Sequence, residues 1–344
     1  MKLLYIHRIR AIAIMLIVAM HCVGNLDWTA NLQLFRFMLE LFEGATIIFI
    51  MVSGYLFQHL SDRFDYSLYL SKKFKNVIAP YIAVSLPGIL LLLTKPYFLT
   101  ANPELQGSPW WERVGFLYIY GGSQLNYVLW FIPVMTIFYL LAPIFIIFLR
   151  KPAFFLSLVI LIPASILAHR TSVQKYHHIH LAFYFLSAYM SGMVAGLYRE
   201  NVWQFLERYI LAIGAIYISV LLGHFLFTDY IGSYVSEVFS RENGLIDWLY
   251  IQKFTLFFIL IYIFRRLDGV EMRSLDFLAT ISFAIFFLHI YVLHVYSHLV
   301  HWHQFPGNIL NTLWLFLLAI GCSSLIAVVL RRALGPSSRV LIGA

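Results

Sequence analysis

Charge is what this sequence has least of. Asp, Glu, Lys and Arg make up 12% of its 344 residues, against about a quarter in soluble domains. That scarcity excludes a soluble globular chain. No long stretch lacks an apolar segment, which excludes a separate soluble domain as well. Cysteine is nearly absent: Cys22 and Cys322 are the only two, both inside apolar runs. A disulfide framework is thereby excluded, and free buried thiols are expected. Repeats of fixed period and low-complexity tracts are missing too, so solenoids and tethered arrays drop out. A cleavage site is also lacking. Lys2, Arg8 and Arg10 precede an apolar core as in a signal sequence, but His21-Cys22-Val23-Gly24 offers neither a small-x-small site nor a lipoprotein-type cysteine. The segment is expected to stay attached as a signal anchor.

What is present is apolar: 61% hydrophobic residues, 18% aromatic, and a mean hydropathy of +0.81. The fold class is an all-α polytopic membrane protein forming a single domain over residues 1–344. Crossing a core of ~30 Å takes about 20 apolar residues, and about ten transmembrane helices are predicted: Arg8–Leu26, Leu39–Leu60, Val77–Tyr97, Tyr127–Leu149, Phe154–Ala168, Leu181–Tyr198, Ile210–Phe227, Trp248–Phe264, Phe277–Val300 and Ile309–Leu330. The fifth is short and holds Pro163, so a tilted or broken segment is expected there. With both termini cytoplasmic, only Arg36, Lys95, Arg113, Arg170, Lys175, Arg241 and Lys253 of the 24 Lys and Arg fall outside. This asymmetry supports the orientation. It also gives the net charge of +8 an origin other than nucleic-acid binding, and no nucleic-acid partner is expected.

The first segment, His7 to Cys22, carries Arg10 and His21 with only apolar residues between them. Eleven helical steps of ~100° return to within about 20° of the start and rise about 16 Å. Arg10 and His21 therefore share one stripe. Ionisable groups inside a membrane segment are costly and face a bundle interior or a polar path. A flank arginine and an interfacial histidine remain the plainer reading of the pair at this point.

Other stretches carry polar groups at notable places. Phe49 to Tyr55 contains Ser53-Gly54, a pair that allows close approach of a backbone or a ligand, with helix packing the plainer reading. Glu40 and Glu43 lie three residues apart at the start of the second predicted span. Lys72, Lys73 and Lys75 lead into Pro80-Tyr81, where they suit anionic lipid or a phosphate-bearing cofactor. Asn126-Tyr127-Val128-Leu129-Trp130-Phe131 opens the fourth predicted span. Ser282 and His289, seven apart, share a stripe, and His289 lies at a depth comparable with His21. In the outer loops, Trp110, Trp111, Tyr118 and Tyr120 suit the interface or sugar stacking, and Glu237, Glu242 and Asp247 read as a solvated face. His294, His298 and His301 share a helical face at metal-compatible spacing and are followed by His303, and His177, His178 and His180 cluster in another outer loop. No acidic or cysteine partner accompanies either group, so no metal is expected.

Taken in order, these stretches resemble the acyltransferase-3 family of integral-membrane acyltransferases. The resemblance covers the whole chain: the Arg10 to His21 spacing, Phe49 to Tyr55, the basic run ending at Pro80-Tyr81, Leu129 to Phe131 with Tyr139 and Pro143, and Ser282 to His289. Phe183 to Phe185 and Phe205 to Tyr209 also resemble the intercellular-adhesion branch, whose members modify poly-N-acetylglucosamine. Two departures are visible. The family's Arg-x-x-Arg before Pro-Tyr appears here as Lys73-x-x-Asn76 or Lys72-x-x-Lys75, without the planar fork that clamps phosphate bidentately. Val128 stands where a histidine often precedes Leu-Trp-Phe. The resemblance implies acyl transfer, usually of acetyl from acetyl-CoA, to a hydroxyl of a surface or lipid-linked carbohydrate at the bacterial cytoplasmic membrane. It implies His21 as the catalytic histidine and Arg10 as its partner. Arg10, Lys72, Lys73 and Lys75 are then candidates for acyl-CoA binding, and Glu43, Ser53, Gly54, Asn126, Trp130, Phe131, Ser282 and His289 for the substrate pocket. The expected partners are acyl-CoA, a carbohydrate acceptor and membrane lipid. A transporter with an Arg/His proton relay is the alternative class.

Overall fold

The structure, a computed structural model, describes residues 3–94, 105–119, 128–171, 178–228, 234–235, 244–300 and 305–344. In chain order its helices are α1 Leu4–Val23, α2 Leu32–Phe42, α3 Thr46–His59, α4 Tyr66–Lys73, α5 Ala79–Leu93, α6 Trp110–Ile119, α7 Phe131–Leu140, α8 Ala142–Arg150, α9 Leu158–Ala168, α10 His178–Leu197, α11 Arg199–Phe227, α12 Trp248–Arg266, α13 Arg273–Thr280, α14 Ser282–Val300, α15 Ile309–Leu334 and α16 Ser338–Ile342. Among the described residues the only strands are two-residue pieces, β1 Arg170–Thr171 and β2 Tyr234–Val235, paired in parallel.

The chain is an all-α polytopic membrane protein. Eight helical stretches among the described residues are long and apolar enough to span, and Val128–Leu140 with Ala142–Arg150 makes a ninth if its 53° bend is taken as one span. The remaining apolar run is the shorter Pro152–Ala168, whose first six residues are 3₁₀. Each irregularity has a local cause. Pro143, at the start of α8, has no N–H, and its ring excludes the carbonyl four residues back, so the helix breaks at Leu141. Pro80 acts likewise on the basic run. Phe74–Ile78 forms a π-helical turn in which the Ala79 N–H reaches back to the Phe74 carbonyl. The second span begins at Leu32, earlier than the sequence suggests, because the Asn31 side chain accepts from the Leu34 N–H at 3.4 Å. It is interrupted between α2 and α3 at Glu43–Ala45, where Gly44 takes a φ of +78°.

α1 lies at the centre, packed by α2, α3, α12, α13, α14 and α15. Its lower end is fixed by Arg8, which is 1% exposed. Arg8 donates from Nε and Nη2 to Asp276 (3.1 and 3.3 Å), from Nη1 to the Leu267 carbonyl (2.9 Å) and from Nη2 to the Val270 carbonyl (2.6 Å). Tyr5 and Tyr55 join hydroxyls between α1 and α3. The seam between α3 and α10 is closed by glycine: a Cβ at Gly54 would strike the Tyr189 carbonyl, and one at Gly192 the Met51 carbonyl. The outer surface is lipid-like. α11 exposes Leu211 and Phe227 almost fully. Cys22 is buried as expected, but Cys322 faces outward from α15.

Candidate active site

α1 places Arg10 and His21 against α14 and the turn before it. Arg10 Nη2 donates to the Ala279 carbonyl (2.5 Å) and to His7 Nδ1 (3.2 Å), while its Nε–H is buried without a hydrogen-bond partner among the described residues. The same Ala279 carbonyl accepts from Ser282 Oγ at 3.0 Å. At the other end, the His21 ring stands 5.4 Å from the His289 ring, centre to centre, inclined at 37°. Arg10 bonds the Ala279 carbonyl on the last turn of α13, which Ser282 at the start of α14 bonds as well, and His21 meets His289 seven residues further along α14, so α1 and α14 run in the same direction. Positions 10 and 279 share one level, and 21 and 289 share another about 15 Å higher.

His289 is fully buried. Its Nδ1 lies 2.9 Å from the Ile285 carbonyl. A carbonyl only accepts, so Nδ1 carries the proton and a neutral ring keeps its lone pair on Nε2. Nε2 has no hydrogen-bond partner among the described residues. Below the two histidines sits an aromatic wall. Phe49 meets Phe131 at 5.7 Å and Phe283 at 6.3 Å, Phe131 meets Phe286 at 5.6 Å, and Phe286 meets His289 at 6.4 Å. Trp130 is edge-on to Phe131 (6.2 Å) and stacked on Phe185 (5.9 Å). The result is a charged group at one end, a hydrophobic flank, and two imidazoles at the far end, all beside one central helix.

A family profile described as an acyltransferase domain matches residues 3–332 of this chain. The chain belongs to the acyltransferase-3 family. It is a multi-pass membrane acyltransferase. No curated protein and no solved structure matches it.

In this acyltransferase the residues singled out from the sequence divide into two groups. Arg10, His21, Ser282 and His289 gather along the α1–α14 contact, Phe131 packs on α14 through Phe286, and Trp130 stands behind Phe131. The others lie elsewhere. Gly54 is occupied by the α3–α10 seam, and Ser53 Oγ donates to the Phe49 carbonyl of its own helix at 2.9 Å. Glu43 is buried in the interruption between α2 and α3. Lys72 and Lys75 are exposed, whereas Lys73 Nζ sits over the Tyr139 and Tyr69 rings at 4.8 and 5.3 Å. The basic turn packs against α16, which also touches α14, so it is on the Arg10 side of the molecule. Asn126, Tyr120, Glu237, Glu242, His177, His301 and His303 lie outside the described residues. Among the described residues no three His, Cys, Asp or Glu side chains are grouped to hold a metal.

Three groups of the acyltransferase that read as charges on the outer side in the sequence are buried instead. Lys253, with 0% exposure, donates to the Glu40 and Leu41 carbonyls (3.0 and 3.1 Å) and to Gln252 Oε1. It thereby satisfies the carbonyls left open where α2 stops. Glu40 itself bonds His224 Nδ1. Asp247 is not on a solvated face. It caps α12 through the Tyr250 N–H (2.9 Å) and accepts from the Tyr184 hydroxyl (2.7 Å). Arg170, 4% exposed, lies with its guanidinium carbon 4.6 Å above the Trp130 ring.

Proposed function

We propose that this acyltransferase moves an acetyl group from cytosolic acetyl-CoA to a hydroxyl of a surface or lipid-linked carbohydrate at the bacterial cytoplasmic membrane. The termini and Arg10 are then on the cytoplasmic side. The observation that carries the reading is the registered pair of helices, with Arg10 at one level and the His21–His289 pair at the other. A thioester is already activated, so the protein has to hold the donor, position it, and take a proton from the acceptor. Arg10, with an N–H still to satisfy, suits a phosphate of CoA, and Lys72 and Lys75 add positive charge on the same side. The pantetheine arm of CoA would run past Phe283, Phe286 and Phe131, delivering the thioester to the histidines. A neutral imidazole there removes the hydroxyl proton or takes the acyl group itself. The acceptor would approach from the opposite end. A pocket there is lined by Leu26, Tyr296, Phe305, Asn311, Trp314 and Leu315, and Tyr296 is two helical turns beyond His289 on the same stripe.

The test uses membranes of the cells that make the protein, which contain its own acceptor, with radiolabelled acetyl-CoA. Label should enter the glycan fraction, and His21→Ala should abolish this while the protein still inserts, since alanine is mild in an apolar helix. Wild-type labelling by His21→Ala would overturn the assignment of His21. Absence of label with the wild type from either acetyl- or succinyl-CoA would overturn acyl transfer from CoA.

A further inference from the structure

An acyl-CoA donor presents phosphate at two places. The pantetheine arm leaves from the pyrophosphate, and a separate phosphate sits on the ribose 3′ position, on the far side of the pyrophosphate from the thioester. With Arg10 on the first, the second still needs a cation nearer the cytosol. We propose that Arg339, on the short helix α16, binds the 3′-phosphate of the donor at the mouth of the site. The proposal rests on the acyl-CoA reading and adds a residue to it.

Position, anchoring and charge converge on α16. It packs on α5, on the π turn Phe74–Ile78 and on α14. Gly343, which follows it, lies against the aromatic wall, where a Cβ would stand 3.4 Å from both Phe283 and Phe287. Phe283 comes directly after Ser282, which shares the Ala279 carbonyl with Arg10. Arg339 precedes Gly343 by four residues, so the two lie one helical turn apart, about 6 Å. The helix is also held in place. Ser338, 1% exposed, donates from Oγ to the Gly335 and Ala344 carbonyls (2.8 and 3.0 Å), and Ile342 is buried. Arg339 itself is exposed, and its side chain makes no hydrogen bond or ion pair among the described residues. The same is true of Lys72 and Lys75 on the adjoining basic run, and of Arg331 and Arg332 near the end of α15. None of the elements that meet here (α4, the π turn, α5, α14, α15 and α16) contains an Asp or Glu. By contrast, Arg199, Arg265, Arg266 and Arg273 each pair with a glutamate. A face of one sign with no carboxylate to answer it attracts an anion.

Depth assigns the two phosphates. Arg10 is half-buried and Arg339 exposed. The pyrophosphate, from which the arm runs inward past Phe283, goes to Arg10, and the 3′-phosphate stays at the solvent side with Arg339. A phosphate monoester ends in three oxygens, of which a planar guanidinium fork can take two. An anionic lipid headgroup offers related chemistry, but the seating of the Arg339 helix against Phe283 places this cation at the donor end of the α1–α14 contact, which favours the donor.

The experiment measures equilibrium binding of radiolabelled CoA and of dephospho-CoA, which has a hydroxyl in place of the 3′-phosphate, to purified wild type, Arg339→Gln and Arg339→Lys in detergent, with thermal unfolding alongside. The wild type should bind CoA at least about fivefold more tightly than dephospho-CoA, the scale of a charge-assisted contact at an exposed site. Arg339→Gln should lose most of that preference: its Kd for CoA should rise at least about threefold while its Kd for dephospho-CoA stays within about twofold of wild type. Arg339→Lys, which keeps the charge without the planar fork, should fall between the two. An Arg339→Gln variant that keeps the full preference for CoA would overturn the proposal and leave this charge to lipid or topology. Equal weakening toward both ligands, with a lowered unfolding temperature, would overturn it in favour of a structural role. Equal affinity of the wild type for CoA and dephospho-CoA would overturn it while leaving the acyl-CoA reading standing. No binding of either ligand by the wild type would remove both the proposal and the reading beneath it.

Discussion

Arg8 and Arg10 stand two residues apart on α1 and should fail in opposite ways. Arg8 is fully engaged: a bidentate pair with Asp276 and two bonds to the Leu267 and Val270 carbonyls. Removing one partner of a buried ion pair costs about 3–5 kcal/mol. The Asp276 side chain is 26% exposed and can rehydrate, so the lower end applies, about 3 kcal/mol for Arg8→Gln. That is a large part of a typical folding free energy and roughly a hundredfold in the folded-to-unfolded ratio. Arg10 gives up only its bonds to the Ala279 carbonyl and His7, so Arg10→Gln should cost about 1 kcal/mol. Thermal unfolding in detergent, followed by binding of radiolabelled CoA to the folded fraction, separates the two. Arg8→Gln should unfold several degrees lower yet bind CoA with wild-type Kd. Arg10→Gln should unfold near the wild-type temperature and bind at least tenfold more weakly. A stable Arg8→Gln that no longer binds CoA would refute the division of labour argued from these contacts.

Three further outcomes follow from the same structure. Lys72→Ala with Lys75→Ala should raise the apparent acetyl-CoA KM more than it lowers kcat, as loss of uniform binding does, whereas Lys73→Ala should act through stability, since its ammonium sits on Tyr139 and Tyr69; an unchanged KM in the double variant would leave these lysines to topology. Gly54→Val drives a methyl-bearing carbon into the Tyr189 backbone and should cost about 3 kcal/mol, seen as loss of folded protein on size-exclusion chromatography, with near-normal yield as the contrary result. Reporter fusions after Lys75 and Arg266 should be cytoplasmic and one after Gln106 external; an external reporter at Lys75 would reverse the side from which the donor enters.

What was legible in the sequence was whatever repeats at helical period within one segment. Arg10 and His21 stand out because everything between them is apolar, and Ser282 and His289 because seven residues bring a helix back to the same stripe. The proline-made bend after α7 and the π turn before Pro80 were within reach of the same reading, as was Gly192-Met-Val-Ala-Gly196, a small-residue spacing that marks the α10 side of the seam. Arg170 was not legible. A lone cation just past an apolar run reads as a topology charge, and its placement depends on backbone pairing with residue 234, on the Trp130 ring, and on a positive φ at a histidine, none of which has a local signature. Lys253 was hidden for the same reason, because its partners are carbonyls exposed by a helix interruption on α2. Asp247 preceding an apolar run is a readable N-cap, but its bond to Tyr184 is not.

The parallel course of α1 and α14 bears on how one membrane-embedded site could serve substrates from two compartments. Antiparallel neighbours would set Arg10 beside the outer end of α14, and the two ionisable levels would face apolar helix on the other side. In the parallel arrangement each polar level on α1 finds one on its neighbour: Arg10 meets the Ala279 carbonyl beside Ser282, and His21 meets His289. The cost of placing polar groups at membrane depth is then concentrated at two levels about 15 Å apart, with phenylalanines between them. On the proposed reading that separation is functional. A pantetheine arm extended from a phosphate at the Arg10 level covers a distance of this order, so a donor held from one side can present its thioester near the other. The prediction specific to this geometry is that Arg10 matters only for a donor that carries the phosphates. S-acetyl-pantetheine, which keeps the thioester and the arm but lacks the nucleotide, should still be turned over by the wild type with a much higher KM, and Arg10→Gln should leave that KM nearly unchanged. An Arg10→Gln variant equally impaired toward both donors would show that Arg10 acts at the histidines and not on the phosphates.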